Sequence, residues 1–418
     1  MKKVKGRICL PGDKSISHRA ALFSSFIPEE AVFTNFNFNN DCTSTLHGLK
    51  KLGINWQTEN EKLIIKGVPF KNWKKSDSAL DAQNSGTTAR LISGLLANLP
   101  FATEIIGDAS LSKRPMERII TPLKKMGAEI VSNHNYLPLK FFPVEKLHGI
   151  RYELPVASAQ IKSALLLAGL FADGVTEVVE FKTSRDHTER MLQLETRINK
   201  DGSKSLFSSL KVSPKNLSMK IPGDFSSGAF FICAALGLNN SELILENISL
   251  NPTRTGLLDV LEMMGAVVKT HILQDKPEPM GNIEAKSAEL SNIEIPQDIV
   301  PNIIDEIPIL SVLATRANGR LLLRGAKELR IKESDRISAI VKNFNNLGLV
   351  IDEFEDGFEI IGPQKIKGGK VITHHDHRIA MAFTIAQLFT DETIHIDDPE
   401  CAAVSFPDFY RILDKITE

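Results

Sequence analysis

MERIITPLKKMGAEI, residues 116–130, sets apolar side chains at Met116, Ile119, Ile120, Leu123 and Met126, offsets of 0, 3, 4, 7 and 10. That spacing is one stripe of an α-helix, with Gly127 as its C-terminal stop and a strand-forming run beyond it. The same text recurs along the chain. Ile337, Ile340, Val341, Phe344 and Leu347 repeat all five offsets before Gly348. Leu257, Val260, Leu261 and Met264 repeat the first four before Gly265, and KKLGI ends the same way at Gly53. The gaps between these glycines are 74, 138 and 83 residues, and 138 is two steps of 69. The copy implied inside the long gap reads LQLETRINKDGSKS after Met191, without a Leu-Gly stop, so an irregular or trimmed helix is expected there.

A second series interleaves with the first. Short polar clusters open small-residue, apolar helices at Lys14, Asn84, Ser158, Asp224, Asp305 and Asp376, spaced by 70, 74, 66, 81 and 71 residues. Six units of strand–helix–strand–helix–strands therefore fill the chain. These periods exceed those of most solenoids, so two α/β domains of three units each are the better reading. LPGDKS at Pro11 and IPGDFS at Pro222 match closely and mark a division into halves near residue 224.

Composition narrows the function classes. Fifty Lys+Arg against 51 Asp+Glu leave a net charge of −1, and aromatics are 6% of 418 residues. A nucleic-acid binder needs a basic face and aromatic platforms, so that class is disfavoured. The longest apolar runs, near Ala164–Ala172 and Gly228–Leu238, fall short of the ~20 residues that span a bilayer. Pro11 and Gly12 interrupt the basic opening before any signal-like apolar stretch, so a cytoplasmic protein without a membrane partner is expected. Cys9, Cys42, Cys233 and Cys401 form no CxxC pair, so they read as reduced thiols.

The polar residues gather at helix starts, where orphan N–H groups and the dipole favour anions. Lys14, Ser15 and Arg19 surround one such start, although N-capping by Ser15 with two solvated cations would explain them equally well. Asn84-Ser85-Gly86-Thr87-Thr88 with Arg90 resembles a phosphate-cradling turn but is no Walker loop. Cations recur at second-helix starts, at Lys113-Arg114, Arg185 and Lys332 with Arg336, and Arg378 opens a first-series helix. Arginine there opposes the macrodipole, which points to a ligand with two separate anionic groups. Asp305-Glu306 stands in an apolar run, PNIIDEIPIL, where an ionised group is costly unless used; Asp305 is the candidate and Glu306 the fallback. Glu333 and Asp335 fit helix ion pairing as well as catalysis. His374, His375 and His377 lack complementary ligands, so no metal is expected, and Asp186-His187 with Ser405 lacks a nucleophile elbow.

Taken together, PGDKSISHRA (11–20), NSGTTAR (84–90), KRP (113–115), SAQIKSALLLAGL (158–170), SRDHTERML (184–192), IDEIPIL (304–310), KESDR (332–336), DHRIAMAF (376–383) and SFPDF (405–409) resemble the 5-enolpyruvylshikimate-3-phosphate (EPSP) synthase family, the 3-phosphoshikimate 1-carboxyvinyltransferases. The resemblance implies an α/β (α+β) fold of two globular domains, each of three βαβαββ units, with the active site in the interdomain cleft. The chain would cross twice, giving one domain of 1–12 plus 225–418 and another of 13–224. The implied reaction moves the enolpyruvyl group of phosphoenolpyruvate onto the 5-hydroxyl of shikimate 3-phosphate, without cofactor or metal, in a monomer. By motif, Ser15, Arg19, Ser158, Ala159, Ser184 and Lys332 would hold shikimate 3-phosphate. Lys14, Gly86, Arg114, Arg336 and Arg378 would hold phosphoenolpyruvate, with Gln160 between the two. Asp305 would accept the hydroxyl proton, and Glu333 with Lys14 would move the proton at the methylene carbon.

Three positions depart from the pattern. Val404 stands where many members have lysine, Ala159 where some have serine, and Glu328 where some have asparagine. The sister transferase acting on UDP-N-acetylglucosamine usually carries a reactive cysteine before an Arg-Pro pair, and GDASLSKRP (107–115) has none. A non-catalytic anion-binding relative is the remaining alternative, and it would not need Asp305 or Glu333.

Overall fold

Helices that are apolar around their whole circumference must be buried, and six are: α1 (Lys14–Ser24), α2 (Gly86–Leu96), α3 (Ala159–Gly169), α4 (Phe225–Gly237), α5 (Ile307–Ala314) and α6 (His377–Ala386). The computed structural model describes residues 2–418. Polar side chains close five of these helices at their N-termini: Asp13, Ser85, Ser158, Asp224 and Asp376 accept first-turn N–H groups. The cap of α1 is thus Asp13 and not Ser15. The exception is α5, which starts at Ile307, two residues after Asp305. Pro308 sets the first-turn φ there and needs no donor, and Asp305 lies in the turn after a short helix at Val300–Ile303.

The second series behaves as its glycines imply. Helices Asn40–Lys51, Glu117–Lys125, Gly256–Met263 and Arg336–Asn346 are followed by Gly53, Gly127, Gly265 and Gly348 at φ of 90°, 97°, 92° and 75°. The expected irregular copy is a six-residue helix, His187–Leu192, which ends on Gln193 in the left-handed region.

The described strands form six small sheets. One shows the pattern: Leu80–Asp81 pairs in parallel with Thr103–Ile106, which runs antiparallel to Tyr136–Phe142, itself antiparallel to Glu129–Asn133. The parallel pair needs a crossover, which α2 supplies, so each complete unit is βαβαββ. Two sheets exchange their first strands. Lys5–Cys9, which precedes α1, pairs in parallel with Glu242–Ser249, whereas Met219–Lys220, which precedes α4, pairs in parallel with Glu30–Thr34. The last unit is cut down to Gly369–Val371 beside Ile394–Ile396, followed by helix Phe409–Ile416.

By contacts the chain divides into two units, residues up to Pro11 with Pro222–Glu418, and Gly12–Ile221. We call these the acid–base unit and the anion unit, for the roles expected of the residues each carries. Each has its own apolar core, around Phe23, Ile92 and Leu165 in the anion unit and around Phe231, Leu313 and Phe383 in the other. In the anion unit α2 and α3 cross with backbones nearly touching: a Cβ on Gly94 would stand 2.1 Å from the Ala164 carbonyl oxygen. Among the described residues no helix is long and apolar enough to cross a membrane.

His18 lies on α1 inside this core, its Nδ1 2.8 Å from Thr45 Oγ1. Burial pulls its pKa down to about 3, against the attraction of Asp41 and with the help of Lys14 and Arg19. The unfolded chain takes up a proton on this ring below about 6.5, while the folded chain does so only near 3. The stability tied to His18 is therefore complete above pH 6.5 and drains as pH falls. Melting temperatures measured from pH 7.5 to 5 should drop more steeply for the natural chain than for His18→Gln; equal slopes would refute the assignment.

Candidate active site

In the anion unit the first turns of α1, α2 and α3 meet, and hydrogen bonds join them. Arg19, almost wholly buried, donates from Nε to Thr188 Oγ1 at 2.8 Å, from Nη2 to Ser163 Oγ at 2.8 Å and from Nη1 to the Ser15 carbonyl at 3.0 Å. Its guanidinium is thereby fixed by α1, α3 and helix His187–Leu192. Gln160, in the first turn of α3, accepts from Arg90 Nη1 at 2.9 Å and donates to Thr87 Oγ1 at 3.1 Å, which ties α3 to α2. Gly86 opens α2, and a Cβ there would stand 2.8 Å from Arg90 Nη1, so its bareness leaves that guanidinium room. Lys14 Nζ pairs with Asp41 at 3.0 Å, and Arg114 donates to Asn84 Oδ1 at 2.8 Å.

Beneath these groups lies a buried ion cluster. Lys162 on α3 is fully shielded from solvent, and its Nζ stands 3.1 Å from Glu180 and 2.8 Å from Glu189. Ser184 donates its hydroxyl to Glu180 Oε2 at 2.8 Å, and its carbonyl oxygen lies 3.4 Å from Lys162 Nζ. The segment carrying Ser184 and Thr188 is therefore held by charge. Ser158 spends its hydroxyl as the cap of α3, and the Ala159 carbonyl accepts from Ser163 at 2.5 Å.

The acid–base unit gathers acids and cations instead. Asp305, with a side chain 13% exposed, faces Lys332 Nζ at 3.6 Å, Arg336 Nη1 at 3.6 Å and Arg254 Nη1 at 3.9 Å. Arg336 is 1% exposed and bridges further, to Glu333 at 2.6 Å and to buried Asp376 at 2.8 Å. Burial alone would lower the Arg336 pKa, but Asp376, Glu333 and Asp305 more than offset it and raise it. Burial likewise works against the charge on Asp376, yet Arg336 and His377 hold its pKa below the usual carboxylate range. Arg378 donates from Nη1 to Ser226 Oγ and to the Asp305 carbonyl oxygen, each at 2.8 Å.

All five expected residues of this unit, Asp305, Lys332, Glu333, Arg336 and Arg378, thus join one network. The nine of the anion unit fall into neighbouring groups: Arg19 with Ser15, Gly86 and Gln160 about Arg90, Ser158, Ala159 and Ser184 about the Lys162 helix, and Lys14 and Arg114 on Asp41 and Asn84. Several partners were missed from sequence. Lys162, alone in an apolar helix, carried a signal; Arg254 and Asp41 carried none. The histidine tract is a turn leading into α6, with His374 and His375 at φ of 54° and 58° and His375 bonded to Asp398 at 2.5 Å. Among the described residues no group of three or more His, Cys, Asp or Glu is arranged to hold a metal ion. Asp186 pairs with Arg190 at 2.6 Å, and Ser405 belongs to the acid–base unit.

Comparison with known proteins follows this geometry. The sequence model for EPSP synthase (3-phosphoshikimate 1-carboxyvinyltransferase) matches residues 1–413. A 3-phosphoshikimate 1-carboxyvinyltransferase of Alkaliphilus metalliredigens is 45% identical over 420 residues, covering 100% of this chain and 98% of its own. One from Thermotoga neapolitana is 44% identical over 418 residues, covering 99% and 98%. The solved EPSP synthase of Acinetobacter baumannii superposes with a TM-score of 0.89 at 39% identity, covering 100% of this chain and 97% of that one. The enolpyruvyl transferase NikO of Streptomyces tendae shares the fold at a TM-score of 0.77 and 14% identity, covering 100% and 96%. The fold is that of the enolpyruvyl transferases. Within that class, this chain belongs to the EPSP synthase family.

The buried cluster under Ser184 has a direct test. Lys162→Met would strand Glu180 and Glu189 with less compensation, a loss of about 3–5 kcal/mol for breaking a buried pair. Urea unfolding should report that loss, and Glu180→Gln added to Lys162→Met should recover part of it. A loss below about 1 kcal/mol would mean that Lys204, 3.4 Å from Glu189, suffices.

Proposed function

We propose that this protein transfers the enolpyruvyl group of phosphoenolpyruvate to the 5-hydroxyl of shikimate 3-phosphate, releasing phosphate and forming 5-enolpyruvylshikimate 3-phosphate. The observation that carries the reading is Asp305 ringed by Lys332, Arg336 and Arg254, with Glu333 bonded to the same Arg336. A non-catalytic anion binder would gain nothing from the carboxylate of Asp305, 13% exposed, set among the cations that would hold its ligand.

The roles divide by substrate. Ser15, Arg19, Ser158, Ala159, Ser184 and Lys332 take shikimate 3-phosphate. The immobilised Arg19 suits this, since its orientation is settled before an anion arrives. Lys14, Gly86, Arg114, Arg336 and Arg378 take phosphoenolpyruvate, whose phosphate and carboxylate match separated cations, and Gln160 serves both. Asp305 accepts the proton of the 5-hydroxyl as its oxygen attacks. Glu333, with Lys14, delivers a proton to the methylene carbon, leaving the adjoining carbon electron-poor. The new C–O bond forms there and gives a tetrahedral adduct. Loss of that methyl proton then restores the double bond as the C–O bond to phosphate breaks. Fixed cations stabilise the charge that develops, and the two carboxylates move the protons. One chain carries every residue assigned, so a monomer suffices.

Purified protein should release phosphate when given both substrates, not either alone, and should do so with EDTA present. UDP-N-acetylglucosamine in place of shikimate 3-phosphate should give none; release there instead would move the assignment to the sister enzyme. Asp305→Asn should cut kcat by about 10²–10⁴, the usual worth of a positioned general base. Calorimetric binding of shikimate 3-phosphate should survive that change, and turnover near the natural rate would remove Asp305 from the mechanism.

A further inference from the structure

Glu306 has no part in the mechanism above, yet it is 1% exposed at the start of an apolar helix, and its Oε2 has no hydrogen-bond partner among the described residues. Its Oε1 accepts the hydroxyl proton of Ser226. The oxygen of that hydroxyl accepts in turn from Arg378 Nη1 at 2.8 Å. A guanidinium, a hydroxyl and a carboxylate thus stand in one directed chain, cation to anion, in which each bond polarises the next.

Ser226 is placed by the second copy of the repeated phrase. In LPGDKS the cap Asp13 stands two residues before Ser15, and in IPGDFS the cap Asp224 stands two residues before Ser226. Asp224 accepts from the N–H groups of Ser226 at 2.8 Å and Ser227 at 3.2 Å, which pins the first turn of α4. Ser226 is itself buried, so its hydroxyl points inward to the start of α5.

The consequence falls on Arg378. Ser226 Oγ and the Asp305 carbonyl oxygen use both hydrogens of Nη1. The remaining edge, Nε with Nη2, is the one that grips a carboxylate through two parallel bonds. We propose that Ser226 and Glu306 are positioning residues for phosphoenolpyruvate, orienting Arg378 so that this edge meets the substrate anion. The inference rests on the assignment of Arg378 to that substrate. It gives the repeated PGD phrase different uses in the two units: Ser15 meets a substrate, and Ser226 aims an arginine.

Steady-state kinetics of four variants test the relay. Ser226→Ala removes one oxygen and leaves the packing intact. It should raise KM for phosphoenolpyruvate about tenfold, leave KM for shikimate 3-phosphate within about twofold, and alter kcat less than about threefold. Glu306→Ala should give the same split, and Glu306→Gln, which still accepts from Ser226, should recover most of the loss. The double variant Ser226→Ala/Glu306→Ala should be no worse than the poorer single one, as expected for two members of one chain. Multiplying effects in the double variant, equal rises in both KM values, or an unchanged KM for phosphoenolpyruvate in Ser226→Ala would each overturn the relay alone. Absence of turnover in the natural chain would instead remove the functional reading, and the relay with it. Should Glu306→Ala fail to fold, Ser226→Ala and Glu306→Gln still decide.

Discussion

A helix without a polar face can be buried only if its ends find polar partners, and six such helices set the terms for this protein. Side chains along α1 to α6 fill the cores, so polar groups gather toward the N-terminal ends. There the backbone presents unpaired N–H groups and a partial positive charge, which caps such as Asp13, Ser158 and Asp376 only partly satisfy. Cations at those same ends, Arg19, Arg90 and Arg378 among them, must be held by something else. Hydroxyls, carbonyls and carboxylates from neighbouring helix starts do so, and the result is a surface of fixed groups suited to anions.

The two units solve this in opposite ways. Arg19 bonds to Thr188, Ser163 and a backbone carbonyl, and Arg90 bonds to Gln160. Around Arg336 the partners are Asp305, Glu333 and Asp376, so charge is balanced internally. The buried Lys162 cluster and the Glu306–Ser226–Arg378 chain play parallel parts, each fixing a neighbouring polar side chain in place.

Chain topology makes the repeats into two units. The strand before α1 pairs with Glu242–Ser249, and the strand before α4 pairs with Glu30–Thr34, so the two openings are exchanged. Both passages between units run through a PGD phrase, at Pro11–Gly12 and at Ile221–Pro222. Gly12 has no alternative there, since a Cβ would lie 2.0 Å from the Asn35 carbonyl oxygen and 2.8 Å from Ile221. The match between LPGDKS and IPGDFS thus reflects two chain passages as well as two helix caps.

Periodicity, glycine stops and polar openings were enough to count the units and place the helices, because these are local properties with a fixed period. The six-residue helix His187–Leu192 was legible for the same reason, from the missing Leu-Gly stop. Local reading failed where two choices were locally equal. Ser15 and Asp13 are both good caps, and only the packed turn assigns that task to Asp13, leaving Ser15 for other work. Pro308 moved the start of α5 past Asp305. Pairings across long sequence separations had no trace at all in the text: Arg254 against Asp305, Arg19 against Ser163 and Thr188, and Arg378 against Ser226. A pattern of residue types determines which faces are buried and which ends are charged; which buried charge meets which partner is decided only when packing excludes water and each group must be satisfied by what lies beside it.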